Sequence, residues 1–153
     1  MHTRMPSFRV LTAPLAALAG LSLAAGSAPA SERAPVAKAA QNVEVLRGTI
    51  KPVAHSARGR ASVVAVGGGR RVLNLRSFRI DPGPRVRVYL VPRGARSDAQ
   101  IPRDFKDLGE LKGSRGNQRY TIPSSVDLRK YTSVAFWCVP FTQNLARADL
   151  ARA

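Results

Sequence analysis

Short runs in which apolar and polar residues alternate, separated by turn residues, limit most strongly how this chain can fold. The clearest run is RVRVYLVP, residues 85–92, in which Arg85, Arg87 and Tyr89 alternate with aliphatic residues. Residues two apart point to the same face of a β-strand, so the run predicts a half-buried strand with a basic outer face. The turn residues DPGP stand directly before it.

Similar strand-like runs recur from residue 43 to residue 150. GRASVVAV and RRVLNLRSFRI flank the glycines 67–69, which predicts a hairpin. NVEVLRGTIKPV, FKDLGELKG, NQRYTIP and SVAFWCV are further runs, whereas helical spacing is confined to the tail NLARADLARA. The pattern predicts an all-β fold, a single β-sandwich or barrel-like domain of seven or eight short strands. Its predicted core residues are Val45, Ile50, Val64, Leu73, Leu75, Phe78, Val86, Val88, Leu90, Leu108, Tyr120, Ile122, Val134 and Phe136.

The N-terminus has the pattern of a secretory signal. Arg4 and Arg9 precede an Ala/Leu-rich apolar stretch, which ends at the small residues Ala28-Pro29-Ala30. We predict a signal peptide at 1–30, a linker at 31–42 and a β domain at 43–150. No later segment is apolar enough to span a bilayer. The expected location is therefore secreted, periplasmic or in the cell envelope, with no transmembrane span once the leader is removed.

The chain is strongly basic. Its formal net charge is +16, and arginine outnumbers lysine twenty to five. Such a charge favours anionic surfaces, so Arg85, Arg87, Lys112 and Arg115 are candidate contacts to an anionic envelope polymer. A solvated basic surface without a dedicated ligand is the alternative. The basic residues are not interleaved with aromatic residues, and we expect no specific nucleic-acid site.

Trp137 and Cys138, the only tryptophan and the only cysteine of the chain, are adjacent in SVAFWCV. Both faces of this run are apolar, which predicts a central strand covered on both sides. Trp137 and Cys138 should then point in opposite directions, with Cys138 mostly buried. One thiol cannot form an internal disulfide. It is buried, paired with another chain, or reactive.

Other catalytic groups are scarce. His55 is the only histidine after the leader, and the chain has no C-x-x-C pair, no phosphate-binding loop and no nucleophile elbow. The sequence therefore predicts no metal site, makes no cofactor evident, and favours a protein that is not an enzyme.

The order of the motifs resembles one family. GTI at 48–50, VLNLRSF ending at Phe78, GPRVRVYL at 83–90, DLGELKGSRGNQRYTIP at 107–123 and VDLRKYTSVAFWC at 126–138 are similar to the DM-thirteen (DM13) domain of Skeletor-type and exported bacterial proteins. The resemblance implies a β-rich domain and a role in electron transfer, with Cys138 as the matching cysteine. The family usually has an acid where this chain has Arg85. Its aromatic-glycine pair near the C-terminus is Leu145-Ala146 here.

Three functions stay open on the sequence. The first is a redox or electron-transfer module that uses Cys138 with an external partner, such as a redox protein. The second is a non-catalytic envelope module that binds an anionic polymer or a protein partner. The third is a structural role, with Cys138 packed in the core.

Overall fold

The structure is a computed structural model that describes residues 41–153. The predicted signal peptide, 1–30, and most of the predicted linker, 31–42, lie outside the described residues. The described part is all-β, as predicted, and its only helix is a single 3₁₀ turn, Ile101–Arg103. No helix in it is long and apolar enough to cross a membrane. The strands are β1 Val43–Pro52, β2 Ala57–Val66, β3 Arg70–Ile80, β4 Val86–Val91, β5 Lys106–Glu110, β6 Arg115–Ile122, β7 Ser133–Cys138, β8 Gln143–Asp149 and β9 Ala151–Arg152.

The strands form one sheet in the order β5-β4-β7-β8-β1-β2-β3-β6, and the two-residue β9 pairs with β1. All the pairings are antiparallel. The two end strands, β5 and β6, are consecutive in the chain and are joined by only four residues, 111–114. The sheet therefore curls until its ends approach each other, which makes it a nearly closed barrel and not a sandwich of two separate sheets.

The predicted hairpin between β2 and β3 is confirmed. Gly68 and Gly69 in its turn have φ angles of 74° and 72°. Two successive residues at positive φ suit the right-handed twist of the flanking strands, and glycine adopts this conformation without a steric penalty.

The barrel interior holds the main core. Most of the predicted core residues are buried there, and Val45 and Leu108 are partly buried against it. The prediction for Val64 is wrong, because its neighbour Val63 points inward and is fully buried while Val64 is only half-buried. Arg60 and Ser62 have the same parity as Val64, so the alternation in the sequence favours Val63 as the inward residue.

A second, smaller core lies outside the barrel wall. Tyr89, Ala135 and Trp137 pack there against Ile101 and Phe105 from the β4–β5 connection. The prediction of a basic outer face for β4 is therefore only partly right. Arg87 is half-exposed, but Tyr89 is buried because the β4–β5 connection covers the second half of the strand.

The helical spacing in the tail NLARADLARA does not produce a helix, because these residues form β8 and β9. Ala146, Ala148 and Leu150 alternate along the inner face as strand residues do. The register of β8 shifts next to Leu145, so this leucine also points inward beside Ala146. Because of this extra inward residue, the sequence of β8 does not show the regular two-residue alternation of a strand.

Candidate functional site

One end of the barrel carries the cysteine. Because neighbouring strands are antiparallel, the connections 53–56, 81–85, 111–114 and 139–142 all emerge at the same end, which we call the cysteine end. Cys138 is the last residue of β7 and lies opposite Val86 at the start of β4. The topology therefore places the thiol directly under the connection between β3 and β4.

The Cys138 thiol is free and buried. Its residue is 1 % exposed, and its Sγ donates a hydrogen bond to the backbone oxygen of Pro84 over 3.2 Å. Trp137 belongs to the outer core and Cys138 to the inner one. The prediction that the two side chains point in opposite directions and that Cys138 is buried is confirmed.

Residues 81–85, which we call the cover loop, shield the thiol from solvent. The N–H of Asp81 donates to Ser56 O at 2.9 Å, and its carbonyl oxygen lies 3.2 Å from Nδ1 of His55. At the other end of the loop, Val139 N donates to Arg85 O at 3.2 Å. A few bonds between loops thus hold the cover, whereas continuous strand pairing holds the barrel below it.

Gly83 sits where the cover loop passes closest to the barrel. A Cβ at this position would lie 3.0 Å from Cδ1 of Leu145 and 3.3 Å from Cγ2 of Val86. The carbonyl oxygen of Leu145 accepts three backbone N–H groups, from Val53, Ala54 and His55, at 3.0–3.1 Å. Leu145 therefore fixes the β1–β2 loop with its backbone and supports the cover loop with its side chain.

Arg85, the last residue of the cover loop, adopts a left-handed conformation with φ of 43° and is exposed. This conformation costs an L-residue with a long side chain of the order of 1 kcal/mol. The backbone is therefore strained one residue away from the carbonyl group that holds the thiol.

A cleft of about 450 Å³ opens beside the cover loop, at the seam where the barrel does not close. Pro82, Gly83 and Arg85 form one wall of it, and Glu110 and Leu111 belong to the other side of the seam. A partner that approaches through this cleft meets the loop that covers Cys138.

The four basic residues predicted as anion contacts lie on four different elements. Arg87 donates to Asp107 at 2.7 Å and lies 3.8 Å from Glu110, and the hydrogen bond with Asp107 raises the pKa of its guanidinium. Lys112 donates to the backbone oxygen of Arg119 and lies over the Tyr120 ring. Arg85 is on the cover loop, and Arg115 is the first residue of β6, across the seam from the strand that holds Asp107 and Glu110.

Comparison with known proteins gives the site a context. The sequence model of the family described as "Electron transfer DM13" matches residues 49–150. The chain belongs to the DM13 family. The matched segment begins in β1 and ends just after β8, so it covers nearly all of the barrel. No curated protein and no solved structure matches the chain.

In this DM13 domain Gly83 and Cys138, from two of the matching motifs, meet His55 and Leu145 at the cysteine end. Sequence reasoning singled out Cys138 and the Gly-Pro turn separately, but it missed that Pro84 supplies the hydrogen-bond acceptor. It also missed the support from Leu145. The resemblance pointed to both positions, because the Gly-Pro turn matches the family and Leu145-Ala146 stands where the family has an aromatic-glycine pair. Within residues 41–153 no three His, Cys, Asp or Glu side chains are grouped as a metal site would require.

Proposed function

We propose that the protein is an electron-transfer module in which Cys138 is the redox group and an external partner molecule exchanges electrons with it. Membership of the electron-transfer DM13 family carries this proposal, together with the position of the one cysteine under a loop held by few bonds. No second cysteine exists in the chain. The electrons of the thiol must therefore pass to another molecule.

The proposed step is thiol–disulfide exchange with a partner disulfide. The Cys138 thiol loses its proton to solvent, and the thiolate Sγ attacks one sulfur of the partner. A new S–S bond forms to Cys138, the S–S bond of the partner breaks, and the leaving sulfur takes up a proton. Two electrons then reside on the released partner thiol, while Cys138 is oxidised to a mixed disulfide. Attack by a second partner thiol on that disulfide restores Cys138.

Opening of the cover loop is the gate in this proposal. In the closed state Sγ points at Pro84 O and has almost no solvent contact, so no disulfide can reach it. Residues 81–85 are anchored by bonds to Ser56, His55 and Val139, and the strained Arg85 lies at their end. Segments with few buried contacts open locally at a much smaller free-energy cost than the whole domain. Local opening would expose the thiol while the barrel stays folded.

The leader-like residues 1–30 support an extracytoplasmic setting for this reaction. Outside the cytoplasm, disulfides persist and are available as electron acceptors. A free thiol without an internal partner would be expected to meet such acceptors there. The proposed partner is accordingly an exported protein that carries an accessible disulfide.

The first test uses glutathione disulfide as the electron acceptor. The folded protein should form a mixed disulfide with release of one glutathione for each chain, and the Cys138→Ala variant should release none. Mass spectrometry and a coupled assay for free glutathione measure both quantities. The proposal fails if the folded protein reacts only at the rate of global unfolding, measured by hydrogen exchange of the slowest β7 amides.

The second test concerns the gate. Gly83→Ala places a methyl group against Leu145 and Val86, so it should push the cover loop outward and speed the exchange about tenfold. Gly94→Ala is the matched control, because a Cβ there has no atom within 4 Å and φ of Gly94 is not positive. Equal rates in the two variants would show that the cover loop does not control access to Cys138.

A further inference from the structure

Three neighbouring strands carry an unusual charge pattern. β2, β3 and β6 together contain eight arginines and no aspartate or glutamate. Seven of these arginines are exposed. One of them, Arg70, donates to the backbone oxygen of Gly67 at the hairpin turn, and we call the other six the arginine face. The arginine face consists of Arg58, Arg60, Arg76, Arg79, Arg115 and Arg119.

The strand register brings these residues together in rows. Arg60 lies directly opposite Arg76 on the neighbouring strand. Arg58 lies opposite Arg79, which in turn lies opposite Arg115, so one row crosses all three strands. Residues opposite each other in an antiparallel pair are about 5 Å apart and project from the same face. The rows therefore place arginines side by side on one face of the sheet.

None of the six guanidinium groups has an ion-pair or hydrogen-bond partner within residues 41–153. Glu44 and Asp81 line grooves beside the face, but neither forms an ion pair with it. On β4 and β8, by contrast, Arg87 and Arg147 are paired with Asp107 and Asp149. Like charges directly opposite each other destabilise a sheet. No carboxylate within residues 41–153 forms an ion pair that would offset the repulsion between these arginines. An anionic ligand would neutralise this repulsion when it binds.

The positions of the aromatic and apolar side chains limit which classes of anionic ligand can bind to the arginine face. The aromatic side chains of β3 and β6, Phe78 and Tyr120, both point into the core. The arginine face therefore has no stacking platform for nucleic-acid bases. The exposed large apolar residues, Val43, Val53 and Phe141, lie on β1 and in two loops of the cysteine end, so nothing on the face itself would insert into a lipid surface.

We infer that the arginine face binds a linear polymer of phosphate groups. Guanidinium groups bind phosphate through two parallel hydrogen bonds. Rows of arginines about 5 Å apart need a ligand that supplies an anionic group at similar intervals along its length. A phosphate polymer meets this requirement without needing aromatic or apolar contacts. The inference rests on the register of β2, β3 and β6 and not on the proposed redox role, although the row Arg58, Arg79 and Arg115 lies near the cysteine end.

The test titrates the full-length protein with inorganic polyphosphate and follows binding by calorimetry at several salt concentrations. The triple variant Arg58→Gln, Arg79→Gln, Arg115→Gln removes the row that crosses all three strands. Its affinity should fall at least tenfold. The slope of log K against log salt should also become shallower by about 2, because the variant makes fewer phosphate contacts and its binding therefore releases fewer counterions.

The control variant Arg103→Gln, Lys106→Gln, Arg152→Gln removes the same charge from exposed positions outside the face that form no ion pair within residues 41–153. It should bind within twofold of the unaltered protein, and circular dichroism should show both variants folded. Equal losses in the two triple variants would overturn the inference, because net charge alone would then explain binding. Tighter binding to polyuronate, to anionic lipid vesicles or to single-stranded DNA than to polyphosphate would also overturn it.

Discussion

Arg85 stands in a backbone conformation that suits other residues better. With φ of 43°, the position favours glycine, asparagine or aspartate, whose short side chains tolerate the left-handed region. The family resemblance places an acidic residue here. The left-handed backbone conformation explains why the family prefers an acidic residue at this position, without any need for a bound metal. It also explains why arginine at this position adds strain to the cover loop.

We expect Arg85→Asn to raise the free energy of unfolding by about 0.5–1 kcal/mol, because it relieves the strain at φ > 0. Arg85→Val should lower it by about 1 kcal/mol or more, because a β-branched side chain fits this region worst. Urea denaturation measures both. Arg103→Asn, at an exposed position without positive φ, serves as the control and should change stability by less than about 0.5 kcal/mol. If Arg85→Asn also leaves stability unchanged, the conformation carries no strain.

For single residues, the sequence predicts which face of a strand a side chain lies on better than it predicts which residues that side chain contacts. The burial of Cys138 and the opposite orientation of Trp137 follow from local alternation, which needs no knowledge of the rest of the chain. Pro84 O and Leu145 could not be predicted as neighbours in this way. Their contacts depend on three loops that meet only after the sheet has curled into a barrel.

Whole strands were predicted where their alternation is regular, and β8 was missed because an extra inward residue interrupts its pattern. β8 also carries a polar group of residues on its outer side. Arg147 is almost fully buried, donates to Ala95 O at 3.2 Å and to Asp149 Oδ1 at 2.6 Å, and lies near Ser133 Oγ. This group ties the β4–β5 connection to the barrel wall.

Asp149 makes the stability of this region depend on pH. Burial disfavours its charged form, but hydrogen bonds from Ser133 and Arg147 outweigh burial, so the pKa of Asp149 lies below its ordinary value. A carboxyl group with a lowered pKa in the folded state stabilises the protein above its unfolded pKa, about 3.9. That contribution is lost as the pH falls through the lower folded pKa.

Asp149→Asn should therefore lower the free energy of unfolding by about 2 kcal/mol at neutral pH, because Arg147 loses its charged partner. The partial exposure of Asp149 keeps the expected value below that of a fully buried pair. The difference between the variant and the unaltered protein should shrink below about pH 4. Urea denaturation over a pH series measures it. Glu44→Gln, which removes an exposed carboxylate without an ion pair, should show no such trend, and a constant difference for Asp149→Asn would contradict the assignment.

On the scale of the whole molecule, charge is distributed unevenly around the barrel. The net charge of +16 was evident from the sequence, and so was the abundance of arginine. Which arginines would face carboxylates could not be predicted, because that depends on which strands become neighbours. The register pairs β4 with the acidic β5, whereas it places β2, β3 and β6 side by side without any acid.

This distribution makes a prediction about the stability of the free protein. Screening between about 0.01 M and about 0.1 M sodium chloride shortens the Debye length from about 30 Å to about 10 Å. Repulsion within the arginine face should weaken accordingly, so the free energy of unfolding should rise by about 0.5–1 kcal/mol over this range. The Arg58→Gln, Arg79→Gln, Arg115→Gln variant should be more stable than the unaltered protein at low salt and should gain less from added salt. Thermal and urea denaturation at each salt concentration measure both effects, with the Arg103→Gln, Lys106→Gln, Arg152→Gln variant as control. If added salt raised the free energy of unfolding equally in all three proteins, the rows of arginines would not repel one another measurably. Stability would then depend on the net charge of the protein and not on the arrangement of its arginines.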